Sequence, residues 1–151
     1  MLVDGLYHRH IPPEQDAFLK GLQTDYPATL DWFVVTGMPE PDSEHLLCWG
    51  RQILRRASQE AAIALQRMPA SVDLRPELGR LTQPTLIIHG DQDDLVSLES
   101  SQWLAKTLPN ARLSVLRGAG HVPTVTRPEA VAQEIRLSST GNRYRWPKLR
   151  S

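Results

Sequence analysis

The feature that most constrains the fold is an apolar run at residues 85–89, TLIIH, which lies between Pro84 and Gly90. A short run of branched apolar residues bounded by proline and glycine is typical of a strand buried on both faces. A second run, RLSVL at residues 112–116, follows after a predicted helix at about 98–108. Strands that alternate with helices in this order predict an α/β fold with a short parallel sheet.

A last helix is predicted directly after the second strand. Thr126 and Glu129 form the Thr-x-x-Glu pattern of a capping box, and Pro128 lies where the first turn of that helix would begin. We therefore expect Thr126 to cap a C-terminal helix.

The rest of the chain differs in character from this α/β part at residues 80–137. Residues 1–7 begin MLVDG, which predicts the end of a buried core strand and a turn. Residues 8–79 indicate helices broken by prolines. Residues 138–151 carry basic side chains and no acidic one, which favours a solvated, disordered tail over an anion-binding arm.

Composition excludes several classes of protein. Its 151 residues suit one domain, and Lys plus Arg (17) balance Asp plus Glu (17), whereas nucleic-acid-binding proteins are usually basic. The start of the chain becomes polar too early for a signal peptide or a membrane-spanning helix. Cys48 is the single cysteine, so no internal disulfide can form, and we expect it to be buried and inert in a cytoplasmic protein.

Candidate catalytic residues follow the two predicted strands. Asp91, Asp93 and Asp94 come after Gly90, and His121 follows a glycine-rich turn beyond the second strand. Since ligands of parallel α/β sheets bind at the carboxyl ends of the strands, an aspartate and a histidine placed there can meet. A carboxylate in that position holds an imidazole in one tautomer and stabilises the imidazolium, as in a catalytic triad.

Other interpretations of these residues remain open. Asp91 and Asp94 are typical turn formers, and the three aspartates together could instead bind a divalent metal ion. His89, at the end of the first strand, is expected to be a core histidine with its hydrogen bonds satisfied. The remaining histidines lack the spacing of a zinc site, so neither a metal nor another cofactor is expected (His8, His10, His45).

Residues 81–131 resemble the C-terminal strand–helix–strand–helix unit of α/β-hydrolases, with small carboxylesterases, perhydrolases and pimeloyl-ester hydrolases as the most similar members. The match rests on two motifs, Gly-x-x-Asp-x-x-Val at residues 90–96 and Gly-x-Gly-His at residues 118–121. The resemblance implies that Asp93 is the triad acid and His121 the triad base.

The same resemblance implies a role for the N-terminal part. Residues 1–7 would form the sixth strand of the family's sheet, so the chain would hold strands six to eight of a partial α/β-hydrolase fold. Residues 8–79 would form the helical cap that covers the active site. Trp32, Phe33 and Trp49 are candidates for lining the substrate pocket, although they could equally pack a core within the cap.

No credible nucleophile is present in the sequence. The family's serine lies in a Gly-x-Ser-x-Gly turn between a strand and a helix, and this pattern does not occur here. The serines lie in or beside predicted helices or lack small flanking residues (Ser58, Ser71, Ser97, Ser100, Ser101, Ser114).

The missing nucleophile leaves three hypotheses for the function. The chain is part of a longer ester hydrolase, a half-enzyme completed by a partner chain, or a non-catalytic remnant that binds ligands or proteins. The first is favoured, with a small ester as the substrate of the complete enzyme. We expect the chain alone to be inactive and to self-associate through an open sheet edge.

Overall fold

The computed structural model describes residues 16–67 and 74–140. The predictions for residues 1–7 and for most of the basic tail lie outside these described residues. The elements, in chain order, are α1 Ala17–Thr24, α2 Tyr26–Gly37, α3 Glu44–Leu54, α4 Gln59–Arg67, a 3₁₀ helix Arg75–Arg80, β1 Thr85–Gly90, α5 Leu98–Thr107, β2 Ala111–Leu116, α6 Pro123–Thr126 and α7 Pro128–Thr140.

The first four helices form the region in which the sequence predicts helices broken by prolines. Asp16 caps α1 by accepting a hydrogen bond from the Leu19 N–H, and Asp25 caps α2 by accepting one from Ala28. The predicted break at the two prolines is confirmed, because α2 ends at Gly37 and α3 begins at Glu44. Four apolar side chains of α1 and α2 are buried (Leu19, Leu22, Leu30, Val34).

The two predicted strands pair in parallel, as expected for an α/β unit. The register runs from Thr85 opposite Ala111 to Gly90 opposite Leu116, so both strands end at the same edge of the sheet. Among the described residues this sheet has two strands, joined through α5. The parallel pairing in this register therefore places the loops after β1 and β2 side by side.

One face of β1 is more deeply buried than the other. Ile87 is fully buried against Leu104 and Leu108 of the α5 side and against Leu78. Leu86 and Ile88, which point to the opposite face, are only partly buried among the described residues. The prediction of a strand covered on both faces is thus met fully on the α5 face and in part on the other.

The expectation that Cys48 is buried is wrong. Cys48 is exposed rather than buried. Gly50 is the buried residue of α3 and lies against Val34 and Met38. Two positions along a helix correspond to a rotation of about 200°, which places Cys48 on the opposite, outer face.

Thr126 does not cap the C-terminal helix. The helix α7 does begin at Pro128, as predicted, but Thr126 is the last residue of the short helix α6 and Arg127 separates the two. The Thr126 hydroxyl donates instead to the carboxylate of Glu40, a residue far away in the sequence. The helix also continues to Thr140 and so includes residues 138–140, which are predicted to belong to the tail.

No helix in the described part of the chain is both long enough and apolar enough to cross a lipid bilayer.

Candidate active site

Asp93 and His121 meet at the carboxyl ends of the two strands. The Nδ1 atom of His121 lies 3.0 Å from Oδ2 of Asp93. The Asp93 side chain is 4% exposed and that of His121 is 12% exposed, so the pair is shielded from bulk water. The other carboxylate oxygen, Oδ1, accepts hydrogen bonds from the backbone N–H groups of Leu95 and Val96, both at 2.9 Å.

These contacts determine which nitrogen atom of His121 holds a proton and whether Asp93 is ionised. Because a carboxylate only accepts hydrogen bonds, His121 donates from Nδ1, and Nε2 is the basic nitrogen of its ring. Burial by itself would raise the pKa of Asp93. The hydrogen bonds from His121, Val96 and Leu95 and the charge of His121 outweigh that effect, so the pKa of Asp93 lies below its ordinary value. Asp93 is therefore ionised at neutral pH.

The two loops are in close contact with each other. Oδ1 of Asp91 accepts a hydrogen bond of 2.7 Å from the N–H of Gly118, whose φ of 67° is in the left-handed region that favours glycine. Gly90 lies so close to the backbone of Ala119 and Gly120 that a methyl group there would clash with their carbonyl groups. Asp91 thus acts as a turn residue that joins the aspartate loop to the histidine loop.

His89 is a buried histidine near Asp93, and both nitrogen atoms of its ring have hydrogen-bond partners. Its Nε2 is 3.1 Å from the carbonyl oxygen of Val96, which fixes the proton on that nitrogen in the neutral ring. Its Nδ1 then accepts from the hydroxyl of Ser101 at 2.8 Å. The Nε2 atom also lies 3.7 Å from Oδ2 of Asp93, which is too long for a hydrogen bond.

An apolar cleft opens beside His121. Its volume is about 140 Å³, and α2, α3 and the segment that follows His121 form its walls. The ring of Phe33 approaches His121 edge-on, with 6.1 Å between the ring centroids. The lining residues are Phe33, Val34, Gly37, Met38, Trp49, Gly50, Ile53, Leu54, His121, Val122 and Val125.

The three aromatic candidates are placed differently. Phe33 and Trp49 line the cleft, although Trp49 remains 49% exposed. Trp32 is 52% exposed and does not line the cleft. Its ring lies 6.1 Å from that of Phe18 on α1.

The serines have local structural partners. Ser58 accepts a hydrogen bond from the N–H of Ala61 at the start of α4. Ser97 and Ser100 contact each other, and Ser114 lies within β2. Ser71 is outside the described residues. Within residues 16–67 and 74–140, no group of three or more acidic, histidine or cysteine side chains is arranged to hold a metal ion.

Sequence reasoning missed the part that Glu40 has in this site. Its Oε1 accepts hydrogen bonds from the N–H of Gly120 and from the hydroxyl of Thr126. Glu40 stands between two prolines with no helical or strand periodicity around it, and its partners are 80 and 86 positions away. No local signal in the sequence could have indicated these contacts.

Comparisons with known proteins bear on the family and the fold of this chain. Residues 3–134 match the family model described as "Alpha/beta hydrolase family". The chain is 32% identical over 116 residues to a pimeloyl-[acyl-carrier protein] methyl ester esterase of Nitrosomonas europaea, a match covering 74% of this chain and 46% of that protein.

Solved structures show the same fold. A hydrolase from Pseudomonas aeruginosa superposes with a TM-score of 0.76 at 22% identity, covering 91% of this chain and 54% of that one. The esterase from Exiguobacterium antarcticum gives 0.73 at 24% identity, covering 81% and 46%. The chain spans about half the length of the proteins it matches. The match over most of its length shows that the chain belongs to the alpha/beta hydrolase family.

Proposed function

We propose that this chain provides the acid, the base and the helical cap of a carboxylic ester hydrolase. The observation that carries the proposal is the 3.0 Å hydrogen bond between Nδ1 of His121 and Oδ2 of Asp93 at the ends of two parallel strands. The similarity to a protein named as a methyl ester esterase supports an ester as the substrate.

The chemistry assigned to the pair is acyl transfer. Nε2 of His121 takes the proton of a serine hydroxyl while the serine oxygen attacks the ester carbonyl, and the imidazolium then gives that proton to the departing alcohol. Water attacks the acyl-serine in the same way and releases the carboxylic acid. Asp93 remains ionised throughout, keeps the proton on Nδ1 and stabilises the imidazolium.

The nucleophile belongs to residues outside this sequence in our proposal. No Gly-x-Ser-x-Gly turn occurs among the 151 residues. That turn and the loop before it also supply the backbone N–H groups of the oxyanion hole in this family. The chain alone is therefore expected to show no ester hydrolysis above background.

The cleft suggests what part of a substrate lies beside the base. Its walls carry aliphatic and aromatic side chains, so an uncharged, apolar group of the ester fits there. Residues 8–79 would act as the cap, with Phe33 and Trp49 contacting that group. Residues 80–137 would form the α/β part that carries Asp93 and His121.

The test compares the 151-residue chain with the protein as cells contain it. The intact mass of the natural protein is measured, and both forms are treated with a fluorophosphonate probe and assayed on p-nitrophenyl butyrate. His121→Ala is the test variant, and His45→Ala, an exposed histidine on α3, is the matched control. We expect the natural protein to react and His121→Ala, but not His45→Ala, to abolish the reaction.

Two results would contradict the proposal. Hydrolysis by the 151-residue chain that His121→Ala removes would place the nucleophile within this sequence. A natural protein that neither reacts with the probe nor hydrolyses the ester, yet binds ligands saturably, would be a non-catalytic member of the family.

A further inference from the structure

Glu40 is a buried carboxylate that the proposed chemistry does not use. It is 6% exposed and lies between α2 and α3. Its Oε1 accepts hydrogen bonds from the Gly120 N–H at 3.0 Å and from the Thr126 hydroxyl at 2.5 Å. Gly120 is directly before His121 in the chain, so the carboxylate holds the loop that carries the base.

The residues before Glu40 contact the same loop. The N–H of His121 donates to the carbonyl oxygen of Gly37 at 2.9 Å. Gly120 lies against the ring of Pro39, so closely that a side chain at Gly120 would collide with it. The peptide at residues 37–40 therefore lies along the histidine loop and satisfies two consecutive N–H groups of it.

Glu40 is itself held in a fixed position. The hydroxyl of Ser43 is 2.6 Å from the carbonyl oxygen of Glu40 and 3.0 Å from that of Met38, and Ser43 is 3% exposed. The N–H of Ser43 donates to the same Glu40 carbonyl at 3.1 Å. These bonds fix the turn between α2 and α3, and with it the direction of the Glu40 side chain.

The buried Glu40 carboxylate is poorly suited to stabilising the fold. Its second oxygen, Oε2, is buried and has no hydrogen-bond partner among the described residues. A buried polar atom without a partner destabilises the folded state, and a well-packed apolar side chain at such a site is often at least as stable. A stabilising role alone therefore does not explain the placement of Glu40.

We propose that Glu40 is a positioning residue, which fixes the Gly120–His121 peptide so that the His121 imidazole meets Asp93. Its use in catalysis rests on the proposed function, but its effect on geometry can be measured without any turnover. Since α2 and α3 also carry Phe33 and Trp49 of the cleft wall, Glu40 connects the helices that line the cleft to the loop of the base.

The variants separate charge, hydrogen bonding and folding. Glu40→Gln keeps the size and removes the charge. Thr126→Val removes one donor to Oε1 at nearly constant shape, and Thr126→Ser restores that hydroxyl. Glu44→Gln, at an exposed position on α3, is the matched control for the loss of a glutamate charge.

The measurements are made by NMR on the protein as cells contain it. They are amide hydrogen exchange at Gly120 and His121, the tautomer of His121 from its imidazole ¹⁵N shifts, and the pKa of Asp93 from its carboxyl ¹³C shift. We expect Glu40→Gln and Thr126→Val to speed exchange at both amides by roughly tenfold or more. The pKa of Asp93 rises toward its ordinary value in both, because contact with His121 is part of what lowers it.

The conservative variants complete the test. Thr126→Ser is expected to retain the wild-type exchange rates and the wild-type pKa of Asp93, and Glu44→Gln to change neither. If Glu40→Gln does not fold, the comparison of Thr126→Val with Thr126→Ser decides the question. The inference is overturned if both test variants keep the wild-type pKa and tautomer, whether or not they lower the global stability.

This outcome differs from a failure of the proposed function. A wild-type chain in which His121 lacks the Nδ1–H tautomer removes the observation on which ester hydrolysis is proposed. A wild-type chain with that tautomer, unchanged by substitution of Glu40 or Thr126, overturns only the positioning role.

Discussion

Replacement of Asp93 by asparagine is the most informative change that can be made to the pair. The amide keeps one oxygen for the backbone N–H groups of Leu95 and Val96, but it then directs its NH₂ group at Nδ1 of His121, 3.0 Å away. Two donors cannot face each other, so the imidazole must move its proton to Nε2 or turn away. In either case the pair loses the arrangement in which Nε2 is basic.

The expected loss of stability follows from the three hydrogen bonds. Hydrogen bonds to a charged group contribute about 1.5–3 kcal/mol each, against about 0.5–1.5 for neutral ones. The two backbone bonds fall to the neutral range. The bond to His121 either reverses its direction and becomes neutral or is lost, while the cost of burying the charge disappears. The balance is a decrease of about 1–3 kcal/mol in the free energy of unfolding at neutral pH.

The direction in which this stability difference changes with pH follows from the pKa of Asp93. The pKa of Asp93 is lowered below 3.8 in the folded chain, so its ionised form stabilises the fold. That contribution is complete above the unfolded pKa and is lost as the pH falls through the lower, folded pKa. The difference between wild type and Asp93→Asn should therefore be largest at neutral pH, begin to shrink as the pH falls to about 4, and close as the pH falls through the lower, folded pKa.

The assay is urea unfolding followed by circular dichroism at a series of pH values, at one protein concentration. Asp94→Asn is the matched control, since Asp94 is exposed and undergoes the same chemical change one position away. Equal unfolding free energies for the two variants at neutral pH, within about 0.5 kcal/mol, would refute the reasoning. A difference that did not shrink in acid would refute the role given to the charge.

Two further predictions concern the backbone at Gly90 and the exposed apolar side chains. Gly90→Ala places a methyl group 2.5 Å from the carbonyl carbon of Ala119, so the histidine loop must shift. We expect the Nδ1–H signal of His121 to broaden or vanish in NMR spectra and the unfolding free energy to fall by about 1–3 kcal/mol, and a wild-type spectrum would contradict this. The chain should also self-associate, because large apolar side chains such as Leu65 and Trp32 are 66% and 52% exposed. Sedimentation velocity should show a mass that rises with concentration, and a constant monomer would count against the prediction.

The parts of the fold that the sequence predicts are those with local causes. β1, β2 and the start of α7 follow from apolar runs, from glycines and from Pro128, all of which act within a few residues. The meeting of Asp93 and His121 was also predictable, since each follows directly after a strand and parallel neighbours end at one edge.

The contacts of Thr126 and Glu40 have no such local cause. The Thr-x-x-Glu pattern near α7 is typical of a capping box. The Thr126 hydroxyl instead donates a hydrogen bond to the buried carboxylate of Glu40, 86 positions earlier in the chain. Exposure of Cys48 likewise depends on which face of α3 packs against α2, and that is decided by the fit of Gly50 against Val34 and Met38. Tertiary packing therefore decides the hydrogen-bond partner of Thr126 and the exposed face of α3, which the local sequence does not determine.

The register of the two strands has a consequence for folding fidelity. The apolar pattern of β2 would tolerate a slip of two residues along β1, because such a slip keeps every side chain on its own face. It would move the end of one strand by about 6.6 Å relative to the other, and the 3.0 Å bond from His121 to Asp93 could not survive it. The contact between His121 and Asp93 therefore depends on the register of the sheet, and the Nδ1 proton signal of His121 reports that the two strands are correctly aligned.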